Sequence, residues 1–106
     1  VNFAPEPVSI SPDETYLLCQ AKQVAHINAV FLYRRVRGLR YRQVDGDLNS
    51  AACAFYEKRY RRKIPVAFFK FTKWQYGSGN LRFRLYGDYG AVLAEGTYDV
   101  TALRFR

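Results

Sequence analysis

The chain has 106 residues, of which 49% are apolar and 17% aromatic, with nine tyrosines. That length holds one domain of ordinary size, and so much apolar material excludes an intrinsically disordered chain. Seventeen Lys and Arg against nine acids leave a formal charge of +8, which favours acidic partners (nucleic acid, anionic headgroups or acidic proteins) and equally keeps a small aromatic-rich domain soluble.

Residues 1–13, VNFAPEPVSISPD, carry three of the four prolines. They read as an extended lead-in with a short edge strand at Val8–Ile10. Glu14–Gln20, ETYLLCQ, supplies a first strong strand through Tyr16, Leu17, Leu18 and Cys19. The run that starts at His26 places Val30, Leu32 and Val36 on one parity and Ile27, Ala29, Phe31 and Tyr33 on the other. Two apolar faces predict a central strand. Gly38 interrupts it, and Leu39–Val44 returns as a hairpin partner, closed by the turn chemistry of Asp45, Gly46 and Asp47.

Ser50–Lys63, SAACAFYEKRYRRK, reads two ways. A helix capped by Ser50 puts Ala52, Phe55, Tyr56 and Tyr60 near one face, whereas a strand over Ala51–Tyr56 leaves a basic loop behind it. The balance leans to strand plus loop. Ile64–Lys73 has the β-branched and aromatic content of a buried strand. The stretch 76–80 is a turn, and Leu81–Tyr86, LRFRLY, alternates most cleanly, with Leu81, Phe83 and Leu85 inward and Arg82, Arg84 and Tyr86 outward. After a second turn at 87–90, Tyr98 and Val100 share a face. Ala102, Leu103 and Phe105 then slip out of alternation, as a bulge would make them do. Seven or eight short strands between turns make residues 1–106 one all-β sandwich or barrel. No apolar run reaches the roughly 18 to 20 residues that cross a bilayer as a helix.

No constellation in the text asks for catalysis, so the chain is read as a non-enzyme without cofactor or metal. The lone His26 has no G-x-S-x-G serine to serve. Asp45 and Asp47 lack the downstream Glu of a calcium loop, and turn chemistry explains them. Cys19 and Cys53 lie too far apart for a CxxC redox pair and, with one histidine, too few for a zinc site. Two buried thiols and a structural disulfide both fit them. The even count favours the disulfide, and with it a periplasmic or secreted protein.

Basic and aromatic residues interleave in RRVRGLRYR (Arg34, Arg35, Arg37, Arg40, Tyr41, Arg42), KRYRRK (Arg59, Tyr60, Arg61, Arg62), KFTKW, and RFR (Arg82, Arg84). Such text can track a phosphate backbone and stack bases. It equally describes a protein-binding face, because guanidinium and phenol groups give much contact for little lost entropy. Outward Arg with inward Phe on a strand produces the same text with no ligand at all.

YLLCQ around Cys19, the hairpin INAVFLYRRVRGLRYRQV, AAC at Cys53, and the closing Gly96, Tyr98 and Val100 together resemble a family. It comprises the small two-cysteine, immunoglobulin-like lipoproteins of Gram-negative bacteria grouped as type VI secretion immunity proteins. The resemblance covers about half the chain. It departs from the family at the basic insertion Glu57–Lys63 and at the two strands over 64–86, which lengthen the path to the closing motif. It implies an immunoglobulin-like antiparallel β-sandwich, possession of a Cys19–Cys53 disulfide, and an immunity or inhibitory function against an acidic toxin or enzyme. Nucleic-acid binding is the alternative function.

Overall fold

In a computed structural model of the chain, the residues described are 6–24, 27–44, 46–64, 67–75, 77, 79–87 and 90–106. His26, Asp45, the lead-in 1–5 and parts of both expected turns at 76–80 and 87–90 lie outside them. The fold is a mostly β, sandwich-like arrangement of two antiparallel four-stranded sheets and one helix. The first sheet holds β1 (Glu6–Ile10), β2 (Tyr16–Val24), β3 (Ile27–Arg37) and β4 (Arg40–Gln43). A helix, α1 (Leu48–Tyr60), leads to the second, with β5 (Phe68–Gln75), β6 (Asn80–Tyr86), β7 (Val92–Asp99) and β8 (Arg104–Phe105). In each sheet the strands lie side by side in chain order. Each is therefore a meander complete within one half of the chain, without the exchange of strands between sheets that immunoglobulin connectivity uses.

The expected inward residues meet in one core. Tyr16, Leu18, Val30 and Leu32 come from the first sheet, and Phe69, Leu81, Phe83, Leu85, Ala94, Tyr98 and Val100 come from β5, β6, β7 and the turn that follows. Leu48, Ala52 and Tyr56 join them from the helix. Full burial of such side chains is worth about 1.5–3 kcal/mol each against exposure, so both sheets and the helix depend on one another. Phe69 and Phe83 stack with centroids 4.4 Å apart. Gly96 stands where a Cβ would overlap Tyr56 Oη, and that hydroxyl donates to the Arg106 carbonyl at 3.1 Å. The glycine of the closing motif thus lets the helix approach β7.

Three local expectations are corrected. The segment read as strand plus loop at 50–63 is helix through Tyr60, and its N-cap is Asp47 rather than Ser50. Asp47 decides the matter. Its carboxylate accepts the Asn49 and Ser50 amides at 3.0 and 3.3 Å, and also the Val30 amide of β3 at 2.8 Å. The slip after Val100 is a reversal, not a bulge: Asp99 accepts the Thr101 and Ala102 amides, Leu103 takes a left-handed φ of 56°, and the chain returns as β8. The disulfide is the third correction, because both cysteines are free thiols. Cys19 has the parity opposite to Leu18, so it faces away from the core that Leu18 enters. Cys53 lies on α1, packed against that core, with its thiol 3.9 Å from Asn49 Oδ1. A bridge needs Cβ atoms about 3.5–4.5 Å apart, and one sheet separates these two.

Candidate interaction surface

The β3–β4 hairpin carries half of the predicted partner-binding residues, and its register sorts them. Arg34 lies opposite Arg42 and Arg35 opposite Tyr41, after which the register shifts and Arg37 lies opposite Arg40. Val36 is the extra residue of this bulge. Because side chains alternate along a strand, Arg34, Arg37, Arg40 and Arg42 occupy one face and Arg35 and Tyr41 the other. Gly38, with φ 55°, turns the hairpin at the first of two central positions, where a type II′ turn favours glycine.

The second face is structural. Arg35 donates from Nε to the Gly38 carbonyl and sits 3.8 Å from the Glu14 carboxylate. Tyr41 donates to the Glu14 carbonyl at 3.1 Å. Together they tie the hairpin to the Ser11–Thr15 turn, which a buried Ser11 hydroxyl closes by accepting the Tyr16 amide at 2.9 Å. On the first face the four guanidinium groups are exposed, and no ion pair or hydrogen bond holds any of them among the described residues. The tip between them is apolar: Leu39 is 91% and Val36 57% exposed.

The other predicted residues sit elsewhere. Arg59, Tyr60, Arg61 and Arg62 occupy the end of α1 and its cap, where Lys58 and Arg59 complement the negative end of the helix. Arg59 lies over the Phe55 ring and Arg62 over Tyr60, each 5.9 Å from the centroid. Arg82 and Arg84 lie on the outer face of the second sheet, and Arg84 is bound to Glu95 at 2.6 Å. With the hairpin, the predicted basic residues thus fall in three places: the β3–β4 hairpin, the end of α1 and β6. Of the aromatic residues in the interleaved text, Phe83 is buried in the core, Tyr41, Phe71 and Trp74 are half-buried, and Tyr60 is exposed.

No family model, curated protein or solved structure matches the chain.

No group of three His, Cys, Asp or Glu side chains converges among the described residues. Asp47, weighed above as part of a calcium loop, spends both oxygens on amides and on the Ser50 hydroxyl. Burial raises the pKa of both thiols, and for Cys53 the neighbouring Glu57 and Asp47 raise it further. They stay protonated at neutral pH, the opposite of what a nucleophilic thiol needs. Sequence reading found the basic residues but missed Leu39 and Val36. The only signal for them is two apolar residues flanking a hairpin glycine among arginines.

Proposed function

We propose that this chain is a non-enzymatic binding module that grips an acidic protein through the β3–β4 hairpin, in the manner of an inhibitor or immunity protein. The observation that carries this reading is the hairpin's first face, with four exposed arginines that have no carboxylate partner among the described residues and a 91% exposed Leu39 at its tip. Arginine forks donate two parallel N–H···O bonds to one carboxylate. A leucine ringed by them fits a small apolar socket, which is the anchor-and-rim arrangement of tight interfaces. Complementary charge would also steer encounter. The likeness to small secretion immunity proteins agrees with this reading, while placement in the periplasm loses the disulfide on which it rested.

The test is capture from nuclease-treated host extract by the immobilised protein and by an Arg37→Glu/Arg40→Glu variant. Both substitutions fall on exposed positions, so the variant keeps the fold. The expected result is an acidic protein retained by the parent at moderate salt and lost from the variant. Capture that vanishes with nuclease moves the function to nucleic acid, and identical capture by parent and variant removes the hairpin from it.

A further inference from the structure

Beside the hairpin surface, and independent of it, the two sheets leave a cleft at the free edge of β5. Its volume is about 520 Å³, within the range of roughly 300–1,000 Å³ typical of small-molecule sites. The floor is the inner face of the first sheet, where Leu18, Val30 and the bulged Val8 lie. The wall is β5 itself, with Phe69 and Phe71 on one side and Lys70 on the other. Trp74 pins one end of that strand to β1 by donating to Ser9 Oγ at 2.9 Å.

Interiors are close-packed, and an opening of this size between aromatic walls is more than a packing fault. Val8 remains 44% exposed. The polar groups are few: Gln20 supplies an amide, and the Lys70 ammonium lies 5.9 Å from the centroid of the Tyr86 ring, which also lines the cleft. Among the described residues no carboxylate lines the cleft and none is paired with Lys70. An apolar trough with one unneutralised cation and one amide at its rim matches a ligand with a hydrocarbon body and one monoanionic end.

We propose that the inter-sheet cleft binds a single-chain amphiphilic carboxylate, its chain lying against Val8, Leu18, Val30 and Phe71 and its carboxylate held by Lys70. Charge complementarity selects this occupant over a neutral or cationic amphiphile of the same length, since the apolar surface treats all three alike while Lys70 attracts only one. Phe71 stands 5.5 Å from Trp74, ring to ring, and Trp74 is the chain's one tryptophan. Its fluorescence therefore reports on the cleft.

The experiment titrates the full chain with decanoate, 1-decanol and decyltrimethylammonium below their micellar concentrations, following Trp74 emission. Decanoate should give a saturable change and bind more tightly than the other two. Lys70→Glu should weaken decanoate by about tenfold or more, as the loss of a charge-assisted contact implies, and should turn the preference towards the cationic amphiphile. Val8→Phe, at an exposed position that tolerates bulk, should fill the trough and weaken all three. The proposal is overturned by the absence of a saturable change, by equal affinity for the three headgroups, or by decanoate binding that both substitutions leave untouched. A Trp74 signal that tracks protein concentration without ligand, together with a dimer in sedimentation, also overturns it, since a second copy of the chain would then occupy the cleft.

Discussion

Asp47 is the residue on which the two halves of the fold turn. It caps α1, and the same carboxylate accepts the Val30 amide at 2.8 Å, on the side of β3 that β4 has already left. Replacing it with Ala removes the cap, worth about 1 kcal/mol. It also strands a buried amide, at a further cost of about 1–3 kcal/mol. Asp47→Ala should therefore lower the urea-unfolding free energy by about 2–4 kcal/mol, whereas Asp47→Asn, which keeps an acceptor, should lose clearly less. Equal losses would mean that charge rather than hydrogen bonding holds the site. In the text this residue looks like one of three in a turn. Its two roles depend on β3 and α1 lying side by side, which no spacing in the sequence shows.

At the scale of elements, legibility follows from how local the decisive interaction is. LRFRLY was readable because alternate burial is all that its strand needs: Leu81, Phe83 and Leu85 are buried as expected. The helix at 48–60 was not, because AACAFY suits either conformation and the choice falls to Asp47 and to burial of Leu48, Ala52 and Tyr56. The arginine face was half legible. Strict alternation would put Arg37 on the side of Arg35, and only the bulge at Val36 brings it to Arg34. The β7–β8 reversal was hidden for a similar reason, since it depends on Asp99 accepting two amides and meeting Arg106 at 2.6 Å. Hydrogen bonding to the Ala102 amide leads the causes that hold the Asp99 pKa below its ordinary value, with the Thr101 amide and Arg106 adding to it and slight burial opposing. A depressed carboxylate stabilises the fold above its unfolded pKa, and that stabilisation fades as pH falls through the folded one. Asp99→Asn should accordingly destabilise the protein at neutral pH, and the difference from the parent should shrink as pH falls through the folded pKa of Asp99. A constant difference across that range would contradict the assignment.

For the whole molecule, the mass of structure is a shared core between two meanders with α1 closing one side; Cys53 packs against that core and Cys19 is buried on the opposite face of the first sheet, so the two form no staple across it. Burial raises the pKa of Cys19, Cys53 and Tyr56. Groups whose folded pKa lies above the unfolded one favour the native state fully below the unfolded pKa and cease to do so as pH climbs through the folded one. Thermal stability should hold through neutral pH and decline above the ordinary thiol range, about 8.5. Alkylation without reductant should label two cysteines in denaturant and spare Cys19 in the native protein, as intact mass will report. An unlabelled pair in denaturant would restore the disulfide. The surface we propose for a partner lies outside that core, on the β3–β4 hairpin of the first sheet.

The most direct test of that claim is site-specific photo-crosslinking in the host, with a benzophenone side chain at position 39 or, as control, at the exposed Thr101 in the β7–β8 turn. The account predicts a discrete adduct with an acidic protein from position 39, absent from position 101 and abolished by Arg37→Glu/Arg40→Glu. No protein adduct at position 39, or the same adducts from both positions, would contradict it.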